Sequence, residues 1–397
     1  MGCCNLSHDC QPGLLDGACG VSGALCQDCT AQVKQCSGGA CKDCTRWATV
    51  LPSAVRGLAL DTDNTIYAGG TSAPQKIYLA ALDGCGTLLR SASHLPATAS
   101  AVSVSALTLA GNDILVGGKL VPSSGTDPQQ GMYGRFSKQT LAASWVVGLY
   151  GGTSKDEIWD LVQAGGSVWM SGTTSIDTTV AGIWGVKASS TTSAACGFGL
   201  AGAGYGRSLT ASAGSGFVYF TGGQSGKGLV GRVGDTACSI SPCSSCSASW
   251  QTTFQDGTHS TEGRGLLVVG GNVYVAGFSS LSNQDLQALV VRVDLATGTV
   301  QNSYVWNPTS MGEMFMDLAT DGTSLYVVGM QGYDGTTAQA AVHKLSMPSL
   351  AKVWSVLPGD AGAYWSVATS GANGLLLAGG SAGGGVVRRC LTSGLCQ

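Results

Sequence analysis

The sequence predicts an all-β fold: a seven-bladed β-propeller of four-stranded blades, with a small disulfide-rich head in front of it. Three observations carry this expectation. Seven segments share one strand–turn–strand pattern at a mean spacing of about 52 residues. The second strand of each ends in Gly, in a chain with 61 glycines, about twice the usual share of roughly 7%. Nine of the 16 cysteines fall within residues 1–44.

The head comes first. Cys3, Cys4, Cys10, Cys19, Cys26, Cys29, Cys36, Cys41 and Cys44 leave too few apolar residues for an ordinary core, so residues 1–44 must be held by cross-links or by metal. Cys26-Gln-Asp-Cys29 and Cys41-Lys-Asp-Cys44 have the paired CxxC spacing that holds zinc or iron in a reducing compartment. Five further head cysteines and an extracellular composition favour disulfides instead. The remaining cysteines are Cys85, Cys196, Cys238, Cys243, Cys246, Cys390 and Cys396, and all sixteen are expected in bridges. Cys243-Ser-Ser-Cys246 lies in a Ser-rich turn, not at a helix N-terminus that would depress a thiol pKa, so it reads as structural. Cys196 can reach the three cysteines of the following blade, an even set. If all sixteen pair, Cys85, Cys390 and Cys396 must then pair among the head cysteines and themselves, and at least one bridge ties head to propeller.

The repeats follow over residues 45–397. Their inner strands begin Val55-Arg-Gly-Leu, Val104-Ser-Ala-Leu, Ile158-Trp-Asp-Leu, Gly206-Arg-Ser-Leu, Gly263-Arg-Gly-Leu, Phe315-Met-Asp-Leu and Tyr364-Trp-Ser-Val. The second strands end on glycines placed at 70, 118, 172, 223, 277, 329 and 380. Third strands such as Ala288-Leu-Val-Val-Arg-Val are aliphatic, and fourth strands often carry Trp, as at Trp145, Trp250 and Trp354. Four strands per unit is a propeller blade, with blades near 53–95, 98–150, 153–200, 203–255, 257–307, 309–358 and 360–397. The last unit lacks a fourth strand. Arg46-Trp-Ala-Thr-Val-Leu-Pro52 matches Val353-Trp-Ser-Val-Leu-Pro358, so residues 45–52 are expected to complete it and hide the open sheet edges.

Charged residues are 11%, hydrophobic residues 44%, and the net charge is -3. A chain that binds nucleic acid needs clustered Lys and Arg, and the 20 here are scattered. No apolar run reaches the ~20 residues of a membrane helix. The chain opens Met1-Gly-Cys-Cys without a signal-peptide pattern, which implies a mature chain whose leader has been removed. The cysteines place it in an oxidising compartment, secreted or at the cell surface.

The repeat resembles the bacterial propeller units called SBBP. Gly271-Asn-Val-Tyr-Val-Ala-Gly277 followed by Leu289-Val-Val-Arg-Val-Asp294 is the nearest copy of that pattern, and the Gly-Gly endings are also similar to kelch blades. The head, with Cys19-Gly-Val-Ser-Gly-Ala-Leu-Cys26 and Cys36-Ser-Gly-Gly-Ala-Cys41, is similar to short Cys-rich modules of bacterial extracellular proteins. The resemblance implies a fold and a secreted or surface-anchored bacterial setting, and no catalytic residues.

Site chemistry is sparse. His8, His94, His259 and His343 make no metal-binding pair, and no nucleophile elbow or phosphate loop is present. Asp61-Thr-Asp-Asn64 has calcium-loop composition but sits between two strands, where Asp and Asn make hairpin turns, so calcium is the lesser expectation and no cofactor is otherwise implied. The loops entering the inner strands should share one face. They bring Arg56, Arg207, Arg264, His259, Glu262, Glu313, Trp159 and Trp365 together as ligand-binding candidates, with Asp156, Glu157, Tyr205, Tyr333 and Tyr364 nearby. Arginines at matched places suit an acidic glycan or an acidic partner loop.

The function expected is a surface binding or scaffold protein, adhesin-like or carbohydrate-binding, whose ligand face lies opposite a head tethered through Cys3 or Cys4, as by a lipid anchor. Its partner is a glycan or a protein at the cell surface. Two alternatives stand beside it: a polysaccharide lyase or glycoside hydrolase using Glu262, Glu313 and His259, and a structural subunit of an extracellular assembly. The bland reading of the arginines is neutralisation by Asp160, Asp317 or Glu262.

Overall fold

The computed structural model describes residues 44–124, 129–149, 156–173, 204–212, 216–234, 248–281, 285–370, 374–381 and 384–396, the backbone of 183–189 and 195–200, and short head segments at 3–4, 10–11, 14–15, 18–20, 35–37 and 40–42. Every regular element among them is a β-strand. No helix among the described residues is long and apolar enough to cross a membrane.

Alternating short apolar strands and tight turns fold into four-stranded antiparallel blades arranged as a β-propeller. Six sheets are built from four strands consecutive in the chain. A further four-stranded sheet is composite: Ala363–Ser370, Gly374–Ser381 and Gly384–Leu391, completed by Trp47–Leu51 from the N-terminal side. The inner strand of the first blade, Ala54–Leu60, packs on one side against Ala99–Ala110 and on the other against Ala363–Ser370. The composite sheet thus abuts the first blade.

Second and third strands are buried on both faces, which explains their near-continuous apolar runs. The core lies between blades. At the join of composite sheet and first blade, Trp47, Leu51, Val55, Leu58 and Ile66 pack against Leu376, Ala378 and Val387. Full burial of each such aliphatic side chain is worth about 1.5–3 kcal/mol.

The fourth-strand tryptophans have a structural cause. Trp47, Trp250 and Trp354 each reach the turn after the third strand of the next blade. Trp47 Nε1 donates to Gly84 O at 3.1 Å, and Trp250 Nε1 donates to Leu295 O at 3.2 Å. The rings lie on turn glycines at positive φ: Gly86 beneath Trp47, Gly298 beneath Trp250, Gly394 beneath Trp354. Long third-strand cations repeat the latch. Arg232 donates to Leu295 O, Arg292 to Pro348 O, Lys344 to Thr392 O and Arg389 to Gly84 O. The last spans from composite sheet to first blade.

Two disulfides are described. Cys44 is bonded to Cys85, and Cys390 to Cys396. The first joins the last of the N-terminal cysteines to the first blade, so Cys44 is no zinc ligand. Among the described residues no cysteine is free. Cys238, Cys243 and Cys246 lie outside the described residues, as do the side chains of Cys196 and the remaining head cysteines.

Asp61–Thr65 is a hairpin turn. Asn64 N donates to Asp61 O with Asn64 at φ 64, and the Asp61 carboxylate accepts from Lys138 Nζ at 2.7 Å. Among the described residues no group of three His, Cys, Asp or Glu is placed to hold a metal ion.

Candidate functional site

The site is built by one recurring irregularity. Near its start each inner strand carries a β-bulge against the second strand, with the extra residue at Arg56, Ser105, Trp159, Arg207, Arg264, Met316 and Trp365. A bulge re-aims a side chain. All seven of these side chains line one cavity on the propeller axis.

The repeat glycines make the bulge sterically feasible. A Cβ at Gly70, Gly118, Gly172, Gly222, Gly277, Gly329 or Gly379 would fall 1.9–2.0 Å from the carbonyl oxygen of Ala54, Ser103, Glu157, Tyr205, Glu262, Met314 or Ala363. In two repeats the critical glycine is one position earlier than the period suggests: Gly222 and Gly379 face the bulge, not Gly223 and Gly380. With two glycines in a row, spacing alone does not select the one in register.

The axial cavity has a volume of about 340 Å³ and is lined by Arg56, Ser103, Ser105, Lys119, Glu157, Trp159, Arg207, Arg264, Met316 and Trp365, in the range of small-ligand sites. Two guanidinium groups stack on indoles across blade boundaries. Arg56 lies 3.6 Å over the Trp365 ring and Arg207 lies 3.4 Å over Trp159, which also meets Tyr205 edge-on.

The charges fall into two clusters. In one, Glu262 Oε1 accepts from Arg207 Nε at 2.7 Å and lies 2.6 Å from Arg264 Nε, while Glu262 Oε2 accepts from the Tyr205 hydroxyl. Burial, reinforced by Glu262, pushes the Tyr205 pKa far up, so its hydroxyl remains a donor. In the other, Glu157 accepts from Ser105 Oγ at 3.2 Å and pairs with Lys119 at 3.7 Å. Arg56 completes this second cluster and makes no ion pair among the described residues. Burial pushes its pKa down to about 10; Glu157 opposes that fall and Arg264 adds to it.

The residues that follow the bulges form the floor, with Asp160, Ser208, Asp317 and Ser366 among them. The Asp160 carboxylate accepts from Ser208 Oγ and Leu209 N of the next blade, and Asp317 accepts from Val367 N of the composite sheet. Burial pushes Asp160 up to about 6 and Asp317 up to about 7, against the pull of these donors.

Five of the eight candidates are brought together here: Arg56, Arg207, Arg264, Trp159 and Trp365 line the cavity. Glu262 lies behind it as the partner of two arginines. Glu313 does not join them. It is fully buried, held by Thr309 Oγ1 and Gly332 N, and raised in pKa by burial. His259 sits in the turn before its inner strand, donating N–H to Asp256 O, and does not line the cavity. Of the neighbours, Tyr364 is fully buried on Asp360, Asp156 is buried, and Tyr333 is exposed.

Ser105, Lys119 and Met316 were not among the expected residues, and Asp160 and Asp317 were expected only as partners of the arginines, whereas their carboxylates accept from Ser208, Leu209 and Val367. Ser105 and Met316 stand in the same repeat column as the three arginines, so comparing that column across all seven units would have found them.

No family model matches this chain, and no curated protein matches it.

Proposed function

We propose that the protein is a secreted or cell-surface binding and scaffold protein, a seven-bladed propeller with the composite sheet as its seventh blade, whose axial channel captures an acidic glycan. The observation that carries this reading is the bulge column. One irregularity, repeated in all seven four-stranded sheets, aims three arginines and two tryptophans into a single cavity. The arginine stacks and the Glu262 ion pairs also tie neighbouring blades together, but the guanidinium groups stay exposed to an open cavity, and that exposure suits a guest of opposite charge.

Strand direction supports an outward-facing mouth. The bulges lie near the entry ends of the inner strands, while Cys44, Cys85, Cys390 and Cys396 lie at the opposite end of the blades. A head joined there leaves the mouth free. The disulfides are compatible with an oxidising compartment, and the likeness of the repeat to bacterial SBBP units agrees with an extracellular bacterial setting.

The enzymatic alternative needs Glu262 and Glu313 as an acid–base pair on one substrate. They are held by separate sets of donors in different blades, and neither lines the cavity, so no observation favours that reading. The test is a glycan array of neutral, uronate-bearing and sulfated saccharides, repeated with Arg56→Ala. Retention of acidic glycans by the native protein alone supports the proposal. Binding only of neutral glycans, or only of acidic protein segments, replaces it.

A further inference from the structure

The two charge clusters are alike in composition. Each groups two cations around one glutamate: Arg207 and Arg264 are both ion-paired to Glu262, while Lys119 is ion-paired to Glu157 and Arg56 lines the same cavity beside them. Glu157 and Glu262 occupy the same repeat position, directly before the residue that faces the bulge glycine. Each cluster therefore carries a formal net charge of +1, and each opens on the same cavity of about 340 Å³, above floor carboxylates Asp160 and Asp317 that are occupied by their own serine and backbone donors and pushed towards neutrality by burial. The clusters also feel one another, since Arg264 lowers the pKa of Arg56. Two excess positive charges confined to one small cavity repel, and a guest that neutralises both relieves that repulsion.

We propose that the axial channel is a dianion site, taking one ligand with two anionic groups, one at the Arg56–Lys119 cluster and one at the Arg207–Arg264 cluster. This rests on the reading of the channel as the binding site and deepens it by fixing the charge of the guest. Arg56 is the principal anchor. Among the described residues it has no carboxylate partner within ion-pair distance, and Trp365 beneath it holds the guanidinium plane in place for a bidentate contact. Arg207 and Arg264 share one carboxylate and still leave one charge uncompensated.

Calorimetric titration of the whole protein at low salt tests this with four probes: succinate against acetate, and digalacturonate against galacturonate. Each dianion is expected to bind at least about tenfold tighter than its single-charge counterpart. Glu157→Gln raises the charge of its cluster and is expected to tighten dianion binding severalfold. Arg56→Lys, which keeps the charge but not the planar fork, is expected to weaken it and serves if Glu157→Gln fails to fold. Succinate matching digalacturonate assigns the site to small organic dianions, and digalacturonate alone assigns it to acidic saccharides; either supports the proposal. Equal affinity for mono- and dianions overturns it, as does dianion binding indifferent to Glu157→Gln and Arg56→Lys. An array-selected glycan that depends on Arg56 while dianions show no preference sinks this inference alone. A glycan indifferent to Arg56 sinks the channel reading itself.

Discussion

The Trp47 indole lies on Gly86, so close that a Cβ there would come within 2.3 Å of its ring. Trp47 belongs to the N-terminal strand of the composite sheet, and Gly86 to a turn of the first blade. Its Nε1 also donates to Gly84 O at 3.1 Å. Trp250 and Trp354 make the same contact one blade onward, at Gly298 and Gly394. The join between the two ends of the chain therefore uses the same latch as two other blade boundaries.

Removing that latch should open the ring. Trp47→Ala is expected to cost about 3–5 kcal/mol, the usual range for a buried Trp, read as a lowered midpoint in denaturant. Gly86→Ala should also destabilise, because φ is +78 and the ring has no room to move. A loss below about 1 kcal/mol for Trp47→Ala would mean that the latch is incidental.

Cys44–Cys85 closes a loop of 41 residues and Cys390–Cys396 one of 6. Loop-closure entropy then gives about 4 kcal/mol for the first and about 2 for the second. Replacing both cysteines of the first pair with Ser should lower the melting temperature more than the same change in the second. The reverse order would show that the N-terminal bridge is not what holds the composite sheet closed.

Gly172→Ala tests the bulge column. Its Cβ would lie 2.0 Å from Glu157 O, so the strand pair must part and Trp159 must shift. We expect severe destabilisation, or a folded protein with weakened channel binding. Gly111→Ala is the control. It has positive φ but nothing within 4 Å, and should cost about 1 kcal/mol. Equal effects of the two changes would remove the steric reason for the repeat glycines.

Much of this was legible in the sequence. Strand order, the composite sheet and the Trp-bearing fourth strands followed from the period and from the match between residues 46–52 and 353–358. Five of eight candidates followed from their place near the strand entry. Glu313 and His259 did not, because sequence gives the end of a strand but not which of its faces meets the axis. This inner strand carries a second bulge whose extra residue is Glu313, between Gly312 and Met314, and it turns the carboxylate onto Thr309 Oγ1 and Gly332 N while Met316 turns into the channel. The ion pairs of Glu262 depend on contacts across blades and were only one of three partners considered for the arginines.

Stability should respond to pH in two opposed ways. His343 is fully buried among Trp306, Phe315 and Tyr304, with neither ring nitrogen hydrogen-bonded. Burial, assisted by Lys352, pushes its pKa from 6.5 to about 3. The unfolded chain binds that proton more readily, so this contribution is intact above pH 6.5 and is lost as pH falls towards 3. Asp160 and Asp317 act oppositely. Their folded pKa values are raised from 3.8 to about 6 and about 7, so their contribution is intact below 3.8 and fades as pH rises through 7. His343→Leu should flatten the acid limb of a melting-temperature profile, and Asp317→Asn the limb between pH 4 and pH 7. Profiles unchanged in shape would contradict both assignments.

The central claim is that the seven bulged residues form the binding site. Calorimetric titration of the strongest acidic glycan from the array tests it most directly, with native protein against Arg56→Ala and with melting temperatures checked for equality. Arg56 touches Trp365 but holds no carboxylate among the described residues, so its removal should leave the fold intact and reduce affinity at least about tenfold, as for loss of a charge-assisted contact. Undiminished affinity in a folded Arg56→Ala protein would place the ligand elsewhere on the propeller and contradict the account.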